Sequence, residues 1–144
     1  MTNRINVEIY DVFKSASNRT SCRKSAMLYS TWNGLPGNGA AFKALIEVAR
    51  VKLQAAKRRY WWNALSLARH LVKDAGTDSK SGDIRFYPSV QQTPTTTYLW
   101  RIYLDATDGS FELDCYEVGF NMRKLLDRLS PVNWRKVANH EKTQ

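Results

Sequence analysis

From Ala40 to Ala75 the chain contains neither Gly nor Pro. Within that run Phe42, Ile46, Ala49, Leu53, Ala56, Tyr60, Ala64, Leu67, Leu71 and Ala75 recur at steps of three and four. Such spacing lines one side of an α-helix with apolar groups. Ala and Leu, both good helix formers, dominate it. One rod over these residues would be about 54 Å long at 1.5 Å per residue. Two halves with a break near Arg58–Tyr60 would satisfy the same pattern, but the unbroken phase favours a single rod or a mild kink. Gly76 stands where a C-cap would end it.

The flanks read differently. Residues 4–14 alternate, with Ile5, Val7 and Ile9 on one side and Asn6, Glu8 and Tyr10 on the other, which predicts a half-buried strand. Residues 15–39 are rich in Ser, Thr, Asn and Gly, so they predict loops around one short helix in CRKSAMLYSTW, with NGLPGNG as a turn. After a loop at DSKSG come three strand signals: Asp83–Pro88, Thr95–Ala106 and Ser110–Val118. TDG at 107–109 predicts a tight hairpin turn, and SVQQTPTTT a polar loop. FNMRKLLDRLS predicts a short helix, and Pro131 the start of another. The expected architecture is α+β: a small antiparallel sheet, made of the N-terminal strand plus a three-stranded meander, packed against a long central helix and two short C-terminal helices. One domain over 1–144 is expected, with a tail from about residue 139.

Charge narrows the function. Lys and Arg number 22 against 13 acids, a net +9. Residues 1–82 hold 14 cations and 5 acids, whereas residues 83–144 hold 8 of each. The whole excess is N-terminal, which suits a localised basic face for a polyanion. Two cysteines, Cys22 and Cys115, make no disulfide framework. No apolar run approaches the roughly 18–20 residues of a membrane span, and MTNRINVEIYDVF has no signal-peptide core. A cytoplasmic protein with no membrane partner is expected.

The densest motif is KRRYWW, Lys57 to Trp62. On a continuous helix Tyr60 and Trp61 join the core, while Arg59, Trp62, Asn63, Ser66, Arg69, His70 and Lys73 form an outer arc. Cations meet phosphates, Asn and Ser hydrogen-bond, and a flat Trp stacks on an unpaired base. Lys43, Arg50, Lys57 and Arg58 extend the face upstream, with Glu47 interrupting it and Lys52 apart. Arg19, Arg23 and Lys24 add cations among the hydroxyls of TSCRKS. The plainer reading of each is a solvated helix face or an ordinary loop.

Catalytic readings are weaker. NGLPGNG precedes a helix start but is neither a P-loop nor a dinucleotide fingerprint. Asp105, Asp108, Glu112, Asp114 and Glu117 could suggest Mg²⁺, yet the third strand lacks the Lys that a nuclease constellation wants. His70 and His140 would have to meet in one cleft to act as an acid–base pair. Tyr87, Tyr103 and Tyr116 fall on the sheet face away from the Tyr98, Trp100, Ile102 and Leu104 core series. The expectation is therefore a non-catalytic, basic nucleic-acid-binding accessory or regulatory protein, DNA- or RNA-directed, of a size that suits a bacterium, plasmid or phage. It would need no cofactor or metal and would prefer single-stranded or distorted targets. The alternatives are an interaction module or inhibitor of a nucleic-acid-processing enzyme, and a small nuclease. Further partner readings are a protein docking on the acidic hairpin 105–117 and a homodimer through the long helix.

Overall fold

Six strands form one mixed sheet in the order β3-β2-β1-β4-β5-β6. In this computed structural model residues 5–14, 19–32, 34–78, 84–89, 97–118 and 129–137 are described. The strands are β1 (Ile5–Lys14), β2 (Thr20–Ser30), β3 (Phe86–Pro88), β4 (Tyr98–Asp105), β5 (Ser110–Val118) and β6 (Leu129–Val132). β1 runs antiparallel to β2 but parallel to β4. The N-terminal strand is thus central, hydrogen-bonded on both sides. Its Ile5, Val7 and Ile9 are fully buried in the main core, while Asn6 and Glu8 are buried on the opposite face.

This corrects the expected sheet in three places. TSCRKSAMLYS is a strand where a loop and a short helix were expected. Its alternation is hidden by hydroxyls and by a bulge, where the register slips between Ile9 and Tyr10 and Ser25 is left over. The three later strands make no meander, because β3 pairs with β2 at one edge while β4 pairs with β1. LSPV is an edge strand on β5, so Pro131 lies in β6 and not at a helix start; an edge tolerates its missing N–H. Among the described residues a helical stretch follows at 134–137. Of the helix expected over FNMRKLLDRLS, residues 120–128 lie outside the described residues, as do the DSKSG and SVQQTPTTT loops beyond Asp78, Ser89 and Thr97 and the tail from 139, while the last two residues of that expected helix, Leu129 and Ser130, are strand in β6. β5 has its expected bounds, and the turn into it closes with Gly109 at φ 72° donating its N–H to Asp105 O at 2.9 Å.

The long rod is also corrected. The chain forms α1 (Gly39–Ala55) and α2 (Ala64–Asp78), with a non-helical elbow between them in which Lys57 and Tyr60 have φ of 53° and 60°. The longest strand, of eleven residues, spans about 36 Å, so a rod of about 54 Å would overhang the sheet. The elbow lets both halves lie against it. Two left-handed residues cost about 1–2 kcal/mol each. Burying Trp62, Leu67 and Leu71 stabilises by about 1.5–3 kcal/mol each, which outweighs that cost. Gly76 is not a cap; α2 runs through it to Asp78.

Candidate functional site

The elbow decides which parts of KRRYWW are available. Trp62 is 1% exposed, part of the main core, and its indole N–H donates to Ser110 O at 2.9 Å. Trp61 is half-buried against it, with ring centroids 5.7 Å apart. Tyr60 is 70% exposed. The expected assignment of Tyr60 and Trp61 to the core and Trp62 to the surface is therefore reversed at its two ends. The helical phase on which it rested stops at Ala55, and the left-handed turn at Tyr60 swings its ring outward. Trp62 has no free face on which a base could stack.

Two side chains cap the start of α2. Asn63 Oδ1 accepts the Ser66 N–H at 2.9 Å, and Asp11 Oδ1, reaching from β1, accepts the Ala64 N–H at 2.8 Å. Asn63 is a cap, not a ligand-facing group. The glycine loop before α1 is likewise packing: a Cβ on Gly39 would stand 2.1 Å from the Trp134 ring, and Gly34 O accepts the Trp100 indole N–H at 2.8 Å.

The structure brings together a subset of the expected cations. A cleft of about 410 Å³ lies between the end of α1, the elbow and the outer side of α2. Arg58, Arg59, Tyr60, Ser66, Arg69 and Lys73 are among its lining residues, with Lys52, His70 and Asp74. Lys52, set apart by the single-rod reading, belongs here, and Tyr60 and Trp61, which that reading sent to the core, both line it.

Ion pairing divides the cations. Lys14 pairs with Asp105 at 3.1 Å, Lys24 and Arg101 with Glu8 at 3.3 and 2.8 Å, Arg50 with Glu47 at 3.0 Å, and Lys52 with Asp78. Among the described residues no carboxylate lies within 4.0 Å of Arg58, Arg59, Arg69 or Lys73. The two acids of the neighbourhood are occupied: Asp74 faces His70 Nδ1 at 3.5 Å, and Asp78 faces His70 Nε2 at 2.8 Å as well as Lys52. Burial works to raise the Asp78 carboxyl, but hydrogen bonds from Lys52 and His70 outweigh it and hold it below the ordinary carboxylate range. His70 is built into the wall by these contacts. His140 lies outside the described residues.

Other expected members fall elsewhere. At 3.6 residues per turn, Lys43, Glu47 and Arg50 share the flank of α1 opposite Lys52 and Ala56. Arg50 leans there on Gly109 O at 3.5 Å. Lys57 is exposed on the elbow. Arg19 is exposed just ahead of β2. Arg23 pairs in register with Asp11, the residue that caps α2, and its Nε donates to Ser25 Oγ at 3.5 Å. Lys24, one residue on, is committed to Glu8 on the other sheet face.

That second face carries its own network. Tyr10 and Tyr103 stack at 5.1 Å, and the Arg101 guanidinium lies 4.8 Å from the Tyr116 ring centre. Tyr10 donates to Glu8 Oε1 at 3.1 Å. Burial pushes the Tyr103 hydroxyl up, with Tyr116 adding to the shift. Desolvation opposes the Arg101 charge, but Glu8 more than restores it. These groups satisfy one another within the fold.

The acidic hairpin is partly spent on its own turn. Asp105 accepts the Thr107 N–H and pairs with Lys14, and both hold its carboxyl low; Asp108 accepts the Ser110 N–H and hydroxyl. Among the described residues no group of three His, Cys, Asp or Glu side chains is placed to hold a metal ion. Burial pushes the Cys115 thiol up to about 12, so it is not a thiolate nucleophile. Among the described residues no helix is long and apolar enough to cross a membrane. No family model matches the chain, and no curated protein or solved structure shows significant similarity to it.

Proposed function

We propose that the chain is a nucleic-acid-binding accessory protein that holds phosphates in the cleft between α1, the elbow and α2. One observation carries this reading. Arg58, Arg59, Arg69 and Lys73 line a single concavity without a carboxylate partner among the described residues, while Lys52 in the same lining and Lys14, Lys24, Arg50 and Arg101 elsewhere are ion-paired. Four cations left unpaired side by side repel one another, and a phosphate backbone relieves that repulsion while releasing counterions. Ser66 adds a hydroxyl to the lining. The cleft volume lies in the range of about 300–1,000 Å³ usual for ligand sites.

Binding of labelled oligonucleotides tests the reading. Four phosphate contacts give a slope of log affinity against log salt of about −3 to −3.6. Reversing Arg59 and Arg69 together to Glu is expected to weaken binding at least tenfold at moderate salt, with little change in melting temperature because Arg59 and Arg69 are exposed. Unchanged affinity in that variant would show that the cleft is not the site. A protein purified free of nucleic acid that shifts no oligonucleotide would point to an acidic protein surface as the occupant.

A further inference from the structure

We infer that the cleft takes a single-stranded nucleic acid, with the Tyr60 ring as the platform for one unpaired base; this rests on the phosphate reading of the same cleft. Trp62, the aromatic that the helical phase offers for stacking, is in the core. The elbow presents Tyr60 instead: 70% exposed, lining the cleft, and held outward by a backbone at φ 60°. The Arg59 guanidinium lies 5.0 Å from the ring centre. A ring beside a guanidinium, bordered by further cations, matches how sequence-tolerant single-strand sites work: cations follow the backbone and an aromatic face receives a base.

A base can reach that ring only when splayed out of its stack. In a duplex the bases are paired inside, and the same cations would meet phosphates while Tyr60 met nothing. Polyphosphate, which has charge and no base, would likewise ignore the ring. The three ligands therefore separate the charge of the cleft from its platform.

The test measures affinities of the whole protein for labelled oligo(dT), oligo(U), a duplex of equal length and inorganic polyphosphate. The variants are Tyr60→Phe, Tyr60→Ala and Tyr60→Asn. Asn accepts the left-handed backbone more readily than Ala, so agreement between Ala and Asn excludes a distorted elbow as the cause. The wild type is expected to bind single strands more tightly than duplex. Tyr60→Ala and Tyr60→Asn should lose about tenfold to a hundredfold on single strands, with duplex and polyphosphate affinity unchanged, and Tyr60→Phe should behave as wild type. Comparing oligo(dT) with oligo(U) tells DNA from RNA. Equal single-strand affinity in wild type and Tyr60→Ala overturns the platform and leaves the phosphate reading standing. Parallel losses on polyphosphate overturn it too, since the ring would then only be positioning Arg59. A wild type that binds neither oligonucleotides nor polyphosphate sinks both readings together.

Discussion

Trp62 and Tyr60 are two residues apart and meet opposite fates, because one left-handed residue redirects the chain between them. Trp62 fills the space beneath the β4–β5 turn, its ring centre 6.2 Å from that of Phe111 and its N–H on Ser110 O. The Ser110 and Leu113 carbonyls are taken by the indoles of Trp62 and Trp134, at 2.9 and 2.8 Å. Trp62→Ala should cost about 3–5 kcal/mol by chemical denaturation. Trp62→Phe should keep most of the packing and lose about 0.5–1.5 kcal/mol for the missing indole hydrogen bond. If Trp62→Ala melts like wild type, the side chain is not in the core.

At the scale of elements, two strands cap a helix. Asp11 on β1 takes the Ala64 N–H with one oxygen and the Ser25 hydroxyl with the other, at 2.8 and 2.9 Å. The bulge that supplies Ser25 thereby fixes the aspartate that starts α2. Asp11→Ala is expected to destabilise the protein by about 1 kcal/mol and to speed amide exchange in the first turn of α2 more than in α1; uniform exchange across both helices would contradict a capping role. This cap was beyond sequence reasoning, because it joins residues 53 apart. Elements that obey one short-range rule were legible: β1 and β5 alternate cleanly, and the hairpin glycine marks its turn. β2 was not, because its bulge breaks the alternation. The helix break carried no Gly or Pro, yet Asn63 before an apolar-periodic run was a usable N-cap signal. Reading it would have started α2 at Ala64 and removed the phase argument for Trp62. Of the candidate site, the cations of α2 and the elbow were legible from their density. Tyr60 and Lys52 were not, since their positions follow from the break.

At the scale of the whole molecule, stability and the basic cleft share one carboxylate. Asp78, its side chain 1% exposed, ties Lys52 of α1 to His70 of α2. Its folded pKa lies below the ordinary 3.8. A depressed carboxylate stabilises the fold at pH values above its unfolded pKa, and that contribution is lost as pH falls through the folded value. The melting temperature should therefore hold through neutral pH and drop below about pH 4, with Asp105, lowered by Thr107 and Lys14, adding to the drop. Asp78→Asn should lower the melting temperature at neutral pH and converge on wild type in strong acid, where both side chains are uncharged. A gap of equal size at both pH values would mean that Asp78 acts by shape and not by charge. The same substitution releases Lys52 into the cleft as a fifth unpaired cation. Well below the melting temperature, polyanion affinity at low salt should then rise while stability falls. Opposite signs from one substitution are expected only if the ion pair that joins the helices also withholds a cation from the ligand, and a fall in both would separate the two roles.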